Sequence, residues 1–251
     1  MDWLFLAAAG VLGGLTGSIA GLASVATYPA LLLVGLPPVT ANVTNTVALV
    51  FNGIGSVLGS RPELEGQQKW IKRIAPVAAL GGVAGAALLL STPAEGFERV
   101  VPILLSLASV AILLPRRGNR RARVADHQRH RAGVLFESAA IFLICIYGGY
   151  FGAAAGVLLL TLLLGAGHAT LAHANAGKNV ILGIANGVAA IMFAFLAPVQ
   201  WPAVLALGIG CLIGSRLGPM VVRHAPAGPL RVLIGAAGLA LALKLGVDAY
   251  S

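Results

Sequence analysis

The sequence has 251 residues, of which 17 are Lys or Arg and 8 are Asp or Glu, so that 10% of the chain is charged, against about 25% in an ordinary soluble domain. Apolar residues make up 58%, and the mean hydropathy is +0.92. Too few charges remain to cover a surface in water, which excludes a soluble globular enzyme, a disordered chain and a fibrous protein. The composition predicts an all-α, polytopic helical membrane protein.

The first half of the chain opens with an overlong hydrophobic run, residues 3–35, that contains no charged residue. A straight helix of that length would measure about 50 Å, whereas the hydrocarbon core of a bilayer is about 30 Å thick. We therefore expect this first helix to be broken or re-entrant, with the break in the glycine-rich stretch 13–21 or just before Pro29. Further hydrophobic runs follow at residues 40–60, 74–90 and 100–114.

A basic segment, residues 115–131, then divides the chain, and the second half repeats the pattern. Its overlong run, residues 134–167, is interrupted by four glycines between positions 148 and 156, so we expect a second broken helix. Three more runs follow at residues 168–197, 203–217 and 230–247. These runs predict about eight spans. We divide the chain into a first membrane repeat (1–114), a basic cytoplasmic loop (115–133) and a second membrane repeat (134–251).

Direct similarity between the halves supports a duplication. The segments 45–53 and 179–187 each begin with an asparagine and carry a second asparagine seven residues later, followed by glycine. Internal repeats of this kind are typical of secondary transporters, whose solute sites lie where the two repeats meet.

The net charge of +9 is concentrated in short segments between hydrophobic runs. Loops 61–73 and 115–131 carry most of the Lys and Arg and lie two spans apart, so we predict that both are cytoplasmic. Inverted repeats would bring the arginines of segment 216–231 to the same side, and we favour them over parallel repeats. The basic segments contain no recognisable nucleic-acid-binding pattern, so we do not expect nucleic acid as a partner.

Polar side chains inside the hydrophobic runs are informative because each must be satisfied in hydrocarbon. Positions 45 and 52 lie two helical turns apart and point the same way, as do positions 179 and 186. We predict that these two amide-lined stripes face each other around a solute. The alternative is that the amides only hold helices together. The candidate solute-binding residues are Asn42, Thr44, Asn45, Asn52, Asn175, Lys178, Asn179 and Asn186.

Lys178 is the only basic residue well inside a hydrophobic run, and a cation beside amide N–H donors suits an oxyanion. The alternative is that Lys178 snorkels to the nearer membrane interface. Acidic residues lie in loops and termini, apart from Glu137 near the edge of a run, so we expect neither a cation site nor a carboxylate proton relay. His173 is the one candidate for a proton carrier within the membrane, the alternative being a packing or hydrogen-bonding role.

No catalytic motif, cofactor-binding motif or metal-ligand spacing occurs in the sequence. Cys145 and Cys211 are isolated within apolar runs and are interpreted as packing residues. We therefore predict no enzyme activity, no catalytic residue, no cofactor and no metal site.

The sequence resembles the sulfite exporter TauE/SafE family of membrane permeases over nearly its whole length, apart from the basic central loop. The glycine-rich opening helix carries part of the resemblance. The rest is carried by PALLLVGLPP at 29–38, ANVTNT at 41–46, GKNVIL at 177–182, Asn186-Gly187, Gln200-Trp201 and GCLIGSRL at 210–217. The opening helix lacks the three consecutive glycines of many relatives, and ANVTN at 41–45 replaces the more usual glycine-threonine-serine. Because these departures fall in the predicted site, the resemblance assigns transport better than it assigns a solute.

The resemblance implies a protein that moves sulfite, sulfonates or related organosulfur anions across the bacterial cytoplasmic (inner) membrane. We expect a secondary transporter that exports such a small anion by alternating access at a midplane site between the two repeats. A passive anion channel and a non-transporting subunit of a membrane assembly stay open as alternatives. The expected partners are the anion and the lipid bilayer, and a homodimer is an open alternative for the oligomeric state.

Overall fold

The computed structural model describes residues 2–113, 131–153, 155–166 and 170–224, together with residues 236, 239, 240, 243 and 247. Within these residues the regular structure is entirely α-helical, which confirms the predicted all-α class. Most of the predicted basic loop 115–131 and of the last predicted run, 230–247, lies outside the described residues.

Seven long helices and three short ones make up the described part of the chain. The long helices are α1 (Trp3–Ala20), α3 (Pro38–Gly59), α5 (Gln68–Ser91), α6 (Ala94–Leu113), α7 (Arg131–Tyr150), α9 (Leu171–Leu196) and α10 (Trp201–His224). The short helices are α2 (Ala23–Leu33), α4 (Arg61–Leu64) and α8 (Ala155–Gly165). Among the described residues, six helices are long and apolar enough to cross a membrane, namely the long ones apart from α6. The chain is a polytopic helical membrane protein, and the count of about eight spans stays a prediction.

The first overlong run forms a helical hairpin. Helix α1 ends at Ala20 because Gly21 takes a left-handed conformation, with φ at 76°, that residues with a side chain rarely adopt. The chain then folds back, since a Cβ built on Gly17 would lie only 2.6 Å from that of Ala23 at the start of α2. The predicted break is confirmed at Gly21, whereas Pro29, the other predicted break point, lies inside α2.

The second overlong run is interrupted in the same way. Helix α7 ends at Tyr150, Gly152 takes a left-handed conformation with φ at 73°, and α8 begins at Ala155. The hydroxyl of Tyr147 donates a hydrogen bond of 2.6 Å to the carbonyl oxygen of Ala153 and so ties the turn to α7. The predicted break among the glycines of this run is confirmed at Gly152.

The two hairpin turns meet each other. A Cβ built on Gly21 would overlap the backbone of Gly156, and a Cβ built on Gly156 would overlap the backbone of Gly21. Since Gly156 lies in the first turn of α8 and Gly21 lies just before α2, the contact joins the beginnings of both short helices. Two backbones approach this closely only where neither residue has a side chain.

The long helices form two groups that run in opposite directions. Helix α10 lies parallel to α1, with Gly10 against Leu207 and Gly14 against Cys211, and it also packs along α3. Helix α5 lies parallel to α7 and α9, where Gly82 contacts Ala185. The groups α1–α3–α10 and α5–α7–α9 therefore each combine helices from both halves of the chain.

Helices α3 and α9 join the two groups and run antiparallel. Gly53 lies against Gly183 near the middle of both helices, and the end of α3 lies beside the first part of α9, where Asn179 reaches Ser60. Opposite directions are what inverted repeats require of these two helices. The duplication and the division at 1–114 and 134–251 stay predictions, and the packing groups do not follow that division.

The prediction that the arginine-containing segments lie on one side of the membrane agrees with this arrangement. At the end of α3, Gly59 lies against the carbonyl oxygen of Arg216 and the ring of Pro219 in α10. The polar loop that follows α3 and the Arg216 end of α10 are thus at the same end of the bundle, as the inverted arrangement predicts. We refer to this end, where α3 and α10 finish and α5, α7 and α9 begin, as the basic end.

Candidate functional site

A small cavity of about 30 Å³ lies where the two hairpin turns meet, between the middles of α3 and α9. It is the place where both packing groups and both hairpins contribute to one surface. The residues that line it are Gly17, Gly21, Ala23, Ser24, Leu49, Asn52, Gly53, Gly152, Asn179, Leu182, Gly183 and Asn186.

Three of the predicted solute-binding residues line this cavity. Asn52 comes from α3, and Asn179 and Asn186 come from α9. The Oδ1 atom of Asn52 is buried and has no hydrogen-bond partner within the described residues. Because rotating an amide by 180° exchanges its oxygen and its NH₂ group, Asn52 can offer the cavity either an acceptor or a donor.

Asn179 is held by two long hydrogen bonds. Its Nδ2 atom is 3.5 Å from the carbonyl oxygen of Ser18 and 3.4 Å from Oγ of Ser60. Both distances are at the outer limit for a hydrogen bond, so each contact is weak. The amide of Asn179 therefore loses little when it turns to another acceptor in the cavity.

Ser24 is a cavity residue that the sequence analysis missed. It lies in the first turn of α2, and its hydroxyl oxygen accepts a hydrogen bond of 3.1 Å from Nδ2 of Asn45. Since that oxygen is an acceptor for Asn45, its own O–H is available to donate. The signal in the sequence was weak, because a serine in a glycine-rich, uncharged run has an ordinary packing role in most membrane helices.

Lys178 is fully buried and is turned to the end of α1. Its Nζ atom donates hydrogen bonds to the carbonyl oxygens of Gly17, at 3.0 Å, and Ser18, at 3.2 Å. Asn175 donates to the same Ser18 oxygen at 2.9 Å. These contacts place the ammonium group inside the protein, in place of the interfacial position that snorkelling would give. Lys178 is not among the residues that line the cavity.

Asn42 on α3 binds the end of α7 in the way that Asn175 on α9 binds the end of α1. Its Nδ2 atom donates a hydrogen bond of 2.8 Å to the carbonyl oxygen of Tyr150, the last residue of α7. In both Asn42 and Asn175 the Oδ1 atom is buried and has no hydrogen-bond partner among the described residues. Helix α3 thus holds the end of the α7 hairpin arm, while α9 holds the end of α1.

The remaining predicted residues of α3 serve in packing. The Oδ1 atom of Asn45 accepts a hydrogen bond of 2.6 Å from the hydroxyl of Thr27, so that its amide joins α3 to α2. Thr44 accepts a hydrogen bond of 3.1 Å from the backbone N–H of Gln200. Neither side chain lines this cavity, and their contact with solute stays a prediction.

His173 lies in the first turn of α9, at the basic end. Its Nδ1 atom is 2.7 Å from Oγ1 of Thr170, and its backbone N–H donates to the same oxygen, so that Thr170 is the N-cap of α9. His173 is not among the cavity residues. A role as proton carrier stays a prediction, while the hydrogen-bonding alternative describes the observed contacts.

Glu137 is more deeply buried than the sequence indicated. Only 4% of the residue is exposed, and Nε1 of Trp70 donates a hydrogen bond of 3.2 Å to its Oε1. Glu137 lies near the beginning of α7, as the sequence indicates, and it is buried because α5 packs along α7. Its carboxylate does not line the cavity.

The family of the chain is decided by comparison with known proteins. The family model described as "Sulfite exporter TauE/SafE" matches residues 6–245, which is nearly the whole chain. The chain belongs to the sulfite exporter TauE/SafE family. The resemblance identified from the sequence is thereby confirmed.

Curated relatives of this TauE/SafE protein are named as transporters. The chain is 28% identical to the probable membrane transporter protein ORF9 of Sinorhizobium sp. over 250 residues, which cover 97% of this chain and 92% of that protein. It is 26% identical to the probable membrane transporter protein YfcA of Escherichia coli (strain K12), over 96% of this chain and 88% of that protein. A probable membrane transporter protein of Haemophilus influenzae is 23% identical, over 85% of this chain and 82% of that protein. No solved structure matches the chain.

These matches establish that the protein is a multi-pass membrane transporter of the TauE/SafE family. They agree with the expectation that it is not an enzyme, because the relatives are named for transport. The names of these relatives specify no solute.

Proposed function

We propose that this transporter exports a small anion, such as sulfite or an organosulfonate, across the bacterial inner membrane through the cavity between the hairpin turns. The observation that carries the proposal is the meeting of two broken helices at a cavity lined by three asparagines. The description of the family as sulfite exporters supports the choice of solute class. The predicted cytoplasmic side is the basic end.

The surroundings of the cavity favour negative charge. Helix α2 starts at the cavity with Ala23 and Ser24, and the N-terminus of a helix carries about half a positive elementary charge. Backbone N–H groups at such an end are without intrahelical partners and bind anions in many proteins. The hydroxyl of Ser24 adds one more donor at the same place.

The amides supply donors for the oxygen atoms of the solute. Asn179 can transfer its N–H groups from two long hydrogen bonds to a solute oxygen at little cost. Asn52 and Asn186 face the same cavity from α3 and α9. Hydrogen bonds between neutral donors and a charged oxygen are stronger than those between neutral groups, so the site favours an oxyanion over a neutral molecule of the same shape.

The size of the cavity indicates a contracted conformation. A volume of about 30 Å³ leaves room for about two water molecules, whereas sulfite has four heavy atoms and sulfonates have more. Binding therefore requires α3 and α9 to separate at their crossing, where Gly53 lies against Gly183. Movement of one helix group against the other would provide alternating access.

Flux measurements in proteoliposomes test this function. Wild-type protein is expected to move radiolabelled sulfite and a sulfonate such as taurine, with saturation. Asn52→Ala, Asn179→Ala and Asn186→Asp are each expected to raise the half-saturation concentration about tenfold or more, because each removes a donor to a charged oxygen or adds a like charge. Thr44→Val is the matched control, since this buried side chain of α3 lies outside the cavity and contacts the backbone of Gln200.

Absence of saturable anion flux in the wild-type protein would overturn the function. Equal effects of the cavity variants and of Thr44→Val would overturn the assignment of the site. Currents in planar bilayers far above carrier turnover, without saturation, would favour the alternative of a passive channel.

A further inference from the structure

We infer that Lys178 is a positioning residue of the transport site: its ammonium group holds the end of α1, and with it the first hairpin turn, and does not touch the solute. The inference rests on the proposed function, in which the solute occupies the cavity between the hairpin turns. It replaces the expectation that Lys178 binds the anion directly.

The geometry gives Lys178 a defined set of acceptors. The last four carbonyl groups of a helix have no intrahelical partner, and Gly17 and Ser18 lie in the last turn of α1. Nζ of Lys178 donates to both of their oxygens. A cation at the C-terminus of a helix is also stabilised by the helix dipole. The charge of Lys178 therefore has a favourable partner in the protein itself.

The end of α1, which Lys178 binds, forms one wall of the cavity. Gly17 and Gly21 both line it, and a Cβ on Gly17 would lie 3.1 Å from Oδ1 of Asn52. The N–H of Gly21 donates a hydrogen bond of 2.7 Å to the Gly17 oxygen, which also accepts from Lys178. Any displacement of this end of α1 thus changes the position of the turn and the space in front of Asn52.

The neighbouring residue on α9 has the complementary role. Successive residues of a helix point about 100° apart, so Lys178 reaches the end of α1 while Asn179 faces the cavity. Two adjacent side chains of α9 therefore fix the position of the end of α1 relative to the cavity. The ammonium group of Lys178 binds the end of α1, and the amide of Asn179 is left to donate to the solute.

The two roles of Lys178 differ in how transport depends on the charge of the solute. A lysine that touches the anion contributes more to binding a dianion than a monoanion, so its removal would weaken binding of ethane-1,2-disulfonate more than that of ethanesulfonate. A positioning lysine affects both solutes by the same factor. It also restrains the backbone of α1 when no solute is present.

The experiment compares wild-type protein with Lys178→Arg, Lys178→Gln and Lys178→Met. The half-saturation concentration and the maximal rate for both sulfonates are measured in proteoliposomes. Hydrogen exchange of the peptide spanning residues 17–24 is measured in detergent without solute. Lys178→Gln keeps N–H donors without charge and serves where Lys178→Met does not fold.

We expect Lys178→Arg to retain both rate and affinity, because it keeps a charged donor. Lys178→Met and Lys178→Gln should lower transport of both sulfonates by a common factor, about tenfold or more for Met, as expected from losing a charged hydrogen bond. Exchange at the N–H groups of Gly21 and Leu22 should become faster in both neutral variants.

A loss of affinity for the disulfonate that exceeds the loss for ethanesulfonate by about tenfold or more would overturn the positioning role, since this selectivity requires a charge at the solute. Unchanged exchange in residues 17–24 of the neutral variants would overturn it as well. If the wild-type protein moves no anion, the proposed function fails, and the exchange measurement still decides whether Lys178 holds the end of α1.

Discussion

Helices α3 and α9 carry the same pair of asparagines, seven residues apart, and use them differently. In α9 both Asn179 and Asn186 line the cavity, whereas in α3 only Asn52 does so. Asn45 instead binds the hydroxyl groups of α2. The spacing of the amides thus predicts which face of a helix is polar, and the neighbouring helix decides what that face binds.

The difference comes from the two short helices. Helix α2 offers Ser24 and Thr27 to the amide of Asn45, and these hydroxyls satisfy it. Helix α8 is rich in leucine, and its hydroxyl group, that of Thr161, donates to the carbonyl oxygen of Val157 within the helix. Asn179 consequently has only long contacts to Ser18 and Ser60 and stays close to the cavity.

Gly21→Ala should be the most damaging of these substitutions, because it disrupts the contact between the two hairpin turns. The alanine has an unfavourable φ, at a cost of about 1–2 kcal/mol, and its Cβ overlaps the backbone of Gly156. We expect loss of monodisperse protein in detergent or a large fall in melting temperature. Gly35→Ala is the matched control, because Gly35 also has a positive φ but has no atom within 4 Å of a Cβ. Equal stability of the two variants would contradict a tight contact between the turns.

Asn45→Ala should affect stability, whereas substitutions of the asparagines that line the cavity should affect binding of the anion. Asn45→Ala removes both hydrogen bonds to α2 and should lower the free energy of unfolding by about 1–3 kcal/mol. Affinity for the anion in the remaining folded protein should stay within about twofold of wild type, which corresponds to less than 0.5 kcal/mol. Thermal melts and equilibrium binding of ethanesulfonate measure the two quantities. A tenfold loss of affinity with unchanged stability would place Asn45 at the solute.

Asn52 and Asn186 should interact with each other through the bound solute. Asn52→Ala and Asn186→Ala act from opposite helices, and both would lose a contact with the same solute. Residues that share a partner have coupling energies of about 0.5–3 kcal/mol. A double-mutant cycle on binding of ethanesulfonate should therefore give a non-additive result, with a coupling energy that exceeds that of the same cycle on unfolding without solute. Additive binding energies would mean that the two amides do not share a ligand.

The smallest effect belongs to Thr44→Val. The variant loses the acceptor for the N–H of Gln200, a residue that is exposed and can bind water instead. The free energy of unfolding should fall by less than about 1 kcal/mol, with unchanged transport. Reduced affinity for sulfonates in Thr44→Val would show that this threonine belongs to the solute site after all.

Helical hairpins could be predicted from the sequence because residues 3–35 and 134–167 are too long for the membrane and rich in glycine. The packing of α5 against α7 and α9, and of α10 against α1 and α3, could not be predicted in this way, because each of these two helices packs on helices from the other half of the chain. Apolar helix faces are equivalent towards lipid, and partners are selected by close backbone contacts such as those of Gly10 with Leu207 and Gly82 with Ala185.

The candidate site was predicted in part for the same physical reason. Polar side chains in hydrocarbon must be satisfied, so Asn52, Asn179 and Asn186 were recognisable as unusual. The acceptors of Lys178 were not recognisable, because backbone carbonyl oxygens at the end of a broken helix leave no mark on the sequence. Ser24 and the burial of Glu137 depend likewise on helices from distant parts of the chain.

Anomalous diffraction from crystals grown with 2-bromoethanesulfonate would show where the anion binds, because the bromine atom locates it independently of the amides. We predict one bromine peak in the cavity between Asn52 and Asn186, with α3 and α9 further apart than at their present crossing. We also predict that the ammonium group of Lys178 stays on the carbonyl oxygens of Gly17 and Ser18. A bromine peak outside the hairpin turns, or a sulfonate bound directly to Lys178, would refute the proposed solute site.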